Sequence, residues 1–286
     1  MNRLPLAAAA ALLALVTLSA CAPGAPTATT TPAPSQAPAA AGPALPPGMT
    51  PSAIAALPSA EYDAVIPGLL AAPADPRFTA ASTVAFDTPV YGADFTTAVA
   101  RIPATDFLGK PTVVVPVATK GAWSMVLTAS RRLLPSQAVD GAVAPAQTAA
   151  WLPTSVLKTA GALPHRVVVS VSAQTLSITD ADGTTEQTFP VGVGTAETPT
   201  PTGTTGYLQA RYLDPAQGQA VHRIQLTSLH ATAADEPYGG ADGGLIGIHF
   251  QDVASGAVSH GCIRLGADAI GAVDRLPLGT PVTVQD

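Results

Sequence analysis

Charge is scarce in this chain of 286 residues: 13 Lys and Arg against 19 Asp and Glu leave 11% charged side chains and a net charge of −6. That is under half the usual quarter for a soluble domain. With pI ≈ 5.2 the chain has no cationic surface to neutralise phosphates, which argues against a nucleic-acid partner and leaves an anionic membrane or polyphosphate little to hold. Long apolar runs are also missing, save one. The mean hydropathy of +0.33 comes largely from Ala, and the single segment resembling a span is at the extreme N-terminus. No P-loop, dinucleotide fingerprint, HExxH-type metal spacing or internal repeat occurs. What remains is 29 Pro, 25 Gly and 47% hydrophobic residues, enough for one or two folded domains plus unstructured chain.

Met1 to Ala20 has one basic residue, Arg3, then an almost unbroken apolar run and the small residues Ser19 and Ala20, which predicts a secretory signal over 1–20 that is absent from the mature protein. The tetrad Leu18, Ser19, Ala20, Cys21 resembles the bacterial lipobox. That resemblance implies a diacylglyceryl group on Cys21 and an exported, envelope-located protein lipid-anchored to the outer side of the membrane, two acyl chains making a stable anchor. The alternative is an ordinary cleaved signal with a chance Cys. Ala22 to Thr50 has 29 residues, eight of them Pro, and no charge; it cannot bury a core and reads, with Cys21, as a linker over 21–50. Extended at about 3.1 Å per residue, it spans up to roughly 90 Å. With Cys21 lipidated, the second of the two cysteines, Cys262, has no disulfide partner. A free thiol in an oxidising compartment favours a chemical task, the alternative being a buried, inert small hydrophobe.

Residues 51–82 contain short apolar stretches interrupted by Pro58 and Pro67 and predict one or two helical turns in an irregular segment. Over 83–160, strand-like runs such as Pro111 to Pro116, Trp123 to Leu127 and Ala149 to Leu152 alternate with Gly, Pro and Ser, which suggests a small β-barrel. The strands bearing Trp123 and Trp151 resemble those of bacterial SH3-like domains; we read both Trp as core in preference to a peptide groove. From 161 to 286 the pattern changes. Arg166 to Ser172, Gln174 to Thr179 and Thr184 to Val193 form an antiparallel meander, with Asp180 to Gly183 as one turn. Further strands are expected near Tyr207 to Leu213, His222 to Thr227, Leu245 to His249 and Thr280 to Val284, with one helix at Ala267 to Arg275. The fold class is thus mainly β with one short helix.

Ser259, His260, Gly261, Cys262, Ile263, Arg264 and Leu265 form the densest cluster of functional residue types, with His249 upstream. Thiol chemistry needs a base within hydrogen-bond reach, and acyl transfer also needs donors aimed at the developing oxyanion. Gly261 lets the backbone approach a carbonyl closely. Residues two apart in a strand share a face, so His260 and Cys262 point into one cleft and His249 comes across from a preceding strand.

The string SHGCIRL, the upstream IGIH ending at His249, the segment Pro199 to Gly203 containing TPTG, and QTLSIT followed by Asp-Gly together resemble the catalytic domain of L,D-transpeptidases of the YkuD type, peptidoglycan cross-linking enzymes. The resemblance covers about Arg166 to Asp286 and implies a YkuD-like β-sandwich. It implies Cys262 as nucleophile, His249 as base, His260 shaping the pocket, and the backbone at Gly261 and Cys262 as oxyanion hole. It further implies Arg264 holding a substrate carboxylate, with Ser259 also on the substrate side and Tyr238, before Gly239 and Gly240, on a lid. The partners implied are donor and acceptor stem peptides and carbapenem-type inhibitors, with no cofactor and no metal. Two features depart from the pattern: only nine residues separate His249 from Ser259, and Phe250 follows His249 where relatives commonly carry Gly or Ser. Phe250 is tolerable if that position acts on the imidazole through its carbonyl.

Three other readings compete. Water in place of the acceptor amine makes the site a carboxypeptidase. A catalytically inactive envelope scaffold is the second, and a zinc site of His249, His260 and Cys262 the third, against which the ligand spacing argues. His165 reads as a solvated polar residue, and His222 and His230 as structural.

Overall fold

The computed structural model describes residues 42–286 except 140 and 241. The predicted signal peptide, Cys21 and the linker as far as residue 41 lie outside the described residues. The last part of the expected linker is packed rather than free. Trp123 Nε1 donates to the Pro43 carbonyl at 2.9 Å, and Gly42 lies so close to Gly121 that a Cβ on either would overlap the other's backbone. A helical turn follows at Pro51–Ala55, started by Thr50, whose Oγ1 accepts the Ala53 N–H at 3.2 Å, and by a proline at the first helical position.

The strands between Leu70 and Ala162 make two open sheets instead of the closed barrel expected over 83–160. In one, the order is 98–102, 88–91, 148–153, 123–128, 116–120, with 70–71 also on 148–153; in the other it is 113–114, 80–84, 157–162. The chain passes from the second sheet to the first at Val115, where Pro116 has no N–H with which to continue the Val113–Val114 ladder. Trp123 (0% exposed) and Trp151 (8%) are core, packed with Tyr91 and Phe95.

From His165 onward ten strands follow the order 185–190, 175–180, 165–170, 281–285, 204–214, 219–230, 245–250, 263–265, 192–194, 256–259. Val167, Leu176 and Ile178 from one end of this order share a single buried cluster with Ile248, Ile263 and Leu265 from the other. The two ends therefore face each other across one core. The helix Ala267–Asp274 adds Ala269, Ile270, Ala272 and Val273 to that core, as its 3.6-residue pattern predicts. Asp274 ties it to the sheet, accepting from Arg223 Nη2 and Gln225 Nε2, both at 2.7 Å. Among the described residues no helix is long and apolar enough to cross a membrane.

Buried hydrogen bonds lock the two halves together. Ser228 Oγ donates to Gln147 Oε1 at 2.6 Å, the His230 N–H to the Ala146 carbonyl at 2.9 Å, and His230 Nε2 meets the Tyr62 carbonyl at 2.8 Å. Burial lowers the His230 pKa to about 4, so the ring is neutral and Nε2–H is the donor. His230 is structural, as the sequence predicts. His222 packs its ring on Phe250 (centroids 4.6 Å apart), and His165 sits 3.3 Å from Glu186.

Candidate active site

The strand Leu245–Phe250 runs parallel to Ile263–Leu265, pairing Ile248 with Ile263 and His249 with Arg264. Paired residues point to the same side of a sheet, so His249 and Arg264 share a face with Gly247 and Cys262, each two residues earlier. A Cβ built on Gly247 would stand 3.9 Å from Cys262 Sγ, which puts the sulfur on that face, and the Gly247 N–H reaches it at 3.4 Å. This face floors a cleft of about 430 Å³ into which His260, Ser259 and Tyr238 also turn.

His260 and Gly261 lie in a bend between strands, not in a strand as expected. Gly261 adopts φ +115°, a conformation open mainly to glycine, and a Cβ there would stand 3.1 Å from Ile246 Cδ1. Two hydroxyls hold the bend. Ser259 Oγ accepts the Gly261 N–H at 3.2 Å and donates to the Cys262 carbonyl at 2.6 Å; Thr200 Oγ1 donates to the Gly261 carbonyl at 2.7 Å and accepts the Gly194 N–H at 2.9 Å. Ser259, expected on the substrate side, is 2% exposed and acts as a strut of the turn. The Gly261 N–H, expected as an oxyanion donor, is taken by that strut. The Cys262 N–H has no partner among the described residues and is the amide available to an oxyanion.

His249 Nδ1 meets the Phe250 carbonyl at 3.1 Å. A carbonyl only accepts, so Nδ1 carries the proton and Nε2 keeps its lone pair for the cleft. Phe250 is therefore compatible with the site through its backbone, while its side chain packs on the core and on His222. Gln219 Nε2 donates to the same carbonyl at 3.0 Å.

Burial pushes the Cys262 thiol up from 9.0 to about 11, opposed by the Gly247 N–H and the Arg264 charge and reinforced by the Asp242 charge. Burial likewise lowers the His249 pKa below 6.5, opposed by the bond to Phe250 and reinforced by the Arg264 charge. The resting pair is thus thiol and neutral imidazole. Arg264 Nε is buried with no hydrogen-bond partner among the described residues, which leaves its guanidinium free to take an anion from the cleft.

Tyr238, 59% exposed, stands edge-on to His260 with centroids 6.0 Å apart, in a connection running from 232 to 244. Both ends of that connection are fastened. Asp235 accepts from Ser136 N–H and Oγ–H at 2.8 and 2.6 Å, and the Gly244 N–H donates to Asp242 Oδ1 at 2.8 Å and Glu236 Oε2 at 3.1 Å. Beneath Gly244 lies Arg131, 3% exposed, in the field of Glu236, Asp235 and Asp242. Arg131, Thr200 and the cleft residues Tyr62, Phe107, Tyr212 and Gln219 escaped the sequence reading. Only the TPTG string bore a signal for one of them, Thr200. Among the described residues no three His, Cys, Asp or Glu side chains come together as metal ligands.

Residues 164–284 match the sequence model of YkuD, the L,D-transpeptidase catalytic domain, a span within the 161–286 region that carries SHGCIRL. Among solved structures the chain is similar to an L,D-transpeptidase from Mycobacterium smegmatis (17% identity, TM-score 0.33, covering 61% of this chain and 91% of that one). It is similar also to an L,D-transpeptidase from Mycobacterium tuberculosis H37Rv (17%, TM-score 0.35, 61% and 90%) and to L,D-transpeptidase 3 from Mycobacterium tuberculosis, solved with a faropenem-derived adduct (17%, TM-score 0.34, 61% and 91%). No curated protein sequence matches the chain.

Proposed function

We propose that residues 161–286 act as a peptidoglycan L,D-transpeptidase working through a thioester on Cys262, in an exported protein held at the outer side of the membrane by a lipid on Cys21. The observation that carries this reading is the register that puts Cys262, His249 and Arg264 on one face of one cleft, with His249 Nε2 as the unoccupied nitrogen. Cys262 Sγ attacks the carbonyl of the third residue of a donor stem peptide as His249 Nε2 takes the thiol proton. The Cys262 N–H faces the developing oxyanion, and Arg264 holds a substrate carboxylate. The imidazolium returns its proton to the leaving amine of the terminal D-alanine, which departs and leaves the thioester. The amine of an acceptor stem then attacks the thioester, forms the new amide and releases the thiol.

Intact-mass analysis tests this. Incubation with a carbapenem should give one stoichiometric adduct that is lost in Cys262→Ala, and a donor plus an acceptor stem should give a cross-linked product. A trimmed donor alone would assign the site to a carboxypeptidase. No adduct under any condition would leave an inactive scaffold.

A further inference from the structure

The cleft has a second wall that the chemistry at Cys262 does not use. Tyr62 and Phe107 reach it from the N-terminal half and Tyr212 from the strand Thr204–Asp214. The Tyr62 and Phe107 rings lie edge-to-face at 4.8 Å, and Phe107 and Tyr212 at 5.8 Å. Phe107 is held out on a built turn. The Asp106 carboxylate accepts the Leu108 and Lys110 N–H groups, each at 2.9 Å, the Asp106 N–H donates to the Lys110 carbonyl at 2.7 Å, and Gly109 supplies φ +71°. Despite two aromatic neighbours Phe107 stays 40% exposed. A turn tied this firmly to present an apolar ring to a cleft is suited to receiving a ligand.

The sheet fixes how far this wall is from the sulfur. Arg264 pairs with His249 and Tyr212 with Ile224, and His249 is one residue on from the Ile248–Gln225 pair, which brings it opposite Ile224. Arg264, His249, Ile224 and Tyr212 thus form one row across four strands. At about 4.8 Å per step, and with Cys262 two residues before Arg264, Tyr212 is roughly 10–15 Å from the reacting sulfur, with the Phe107 ring against it. An extended peptide covers that distance in about three to four residues. A stem peptide cleaved after its third residue has its attachment to the glycan strand at that distance, so a donor laid from Cys262 toward this wall brings a sugar to it. Pyranose rings pack their C–H faces on aromatic rings and hydrogen-bond through their rims. Asp214 and Gln217 line the cleft beside Tyr212, and Gln219 Oε1 has no partner among the described residues.

We propose that Tyr62, Phe107 and Tyr212 form a subsite for a pyranose ring of the glycan strand bearing the donor stem, so that the N-terminal half selects strand-borne stems over free peptides. This rests on the reading of the Cys262 site as an L,D-transpeptidase. The test uses the full chain carrying Cys262→Ala, titrated calorimetrically with a disaccharide-tetrapeptide and with the same tetrapeptide lacking sugar, so no thiol chemistry enters. The sugar-bearing ligand should bind about tenfold tighter. Adding Phe107→Ala should bring it down to the free peptide, leave the free peptide within about twofold, and be rescued by Phe107→Tyr. Equal affinities in the parent, no binding of either ligand, or equal weakening of both by Phe107→Ala would overturn the subsite. With Cys262 intact, Phe107→Ala should react with a carbapenem at the parental rate, and a clear fall would show the ring acting on the thiol's surroundings instead. A parent that fails to react with carbapenem at all would sink the transpeptidase reading while leaving the titration to stand or fall by itself.

Discussion

Replacing His249 by Gln should change not only how fast Cys262 is acylated but how the rate depends on pH. A thiol at about 11 and an imidazole below 6.5 differ by more than four pH units, so moving the proton from sulfur to ring costs at least about 6 kcal/mol before the two charges attract. Charges about 4 Å apart would return about 4 kcal/mol at an effective dielectric near 20, which leaves the ion pair at no more than a few per cent of the resting protein. Without the imidazole the reactive species is the bare thiolate, about one part in 10⁴ at pH 7. The acylation rate of His249→Gln at neutral pH should therefore fall about 10²-fold or more. It should then climb tenfold per pH unit from pH 7 to about pH 10. The parent should show a flat rate from pH 7 to about pH 9, where bare thiolate begins to match the ion pair, and a fall on the acid side, as His249 protonates below its ordinary 6.5. Stopped-flow acylation by a carbapenem, with intact mass to confirm stoichiometry, measures both profiles. A His249→Gln profile that levels off near pH 7 would mean the sulfur is already ionised at rest, and the burial argument would be wrong.

Two further outcomes concern the joint between the halves. A Cβ at Gly244 would fall on Arg131 Nη2, and Gly244 has φ +64°, so Gly244→Ala should cost about 2 kcal/mol or more in thermal denaturation. It should also raise amide exchange around 235–245, whereas unchanged exchange there would show that Arg131 does not fasten that connection. His230 titrates at about 4 when folded against 6.5 when free. Its folded pKa is depressed, so the unfolded chain takes the proton first; stability is full above pH 6.5 and declines as pH falls to about 4, by about 3 kcal/mol in all. A His230→Gln variant should lose that slope in denaturant midpoints measured from pH 7 to pH 4, and an unaltered slope would assign it to other groups.

The reach of sequence reasoning follows from the range of the interactions involved. Period-two alternation locates the strands at 165–170, 175–180, 245–250 and 281–285 to within a residue or two, because each strand faces one core and a slip would turn every apolar side chain outward. The SHGC and IGIH strings single out Cys262 and His249 as candidates because thiol chemistry requires a sulfur and a base within reach of one another. Local hydrogen bonding is harder to read. Ser259 has the composition of a substrate donor, yet its hydroxyl is consumed by the Gly261 N–H and the Cys262 carbonyl on either side of it, and Thr200 reaches the same bend from 61 residues away. Most opaque is whatever depends on packing between the two halves. Nothing within ten residues of Phe107 or Tyr62 marks them as cleft residues, since His230, Gln147 and Arg131 fix that juxtaposition from positions dispersed along the chain. The same holds for the barrel expected over 83–160: alternating strands specify that sheets form, while the change of sheet at Val115–Pro116 goes with partners elsewhere in the chain, Ser82 opposite Val114 and Val126 opposite Pro116. Residue types that act with near neighbours in the chain are therefore legible in the sequence, whereas the ring of Phe107, 155 positions before Cys262, is brought to the same cleft by tertiary contacts alone.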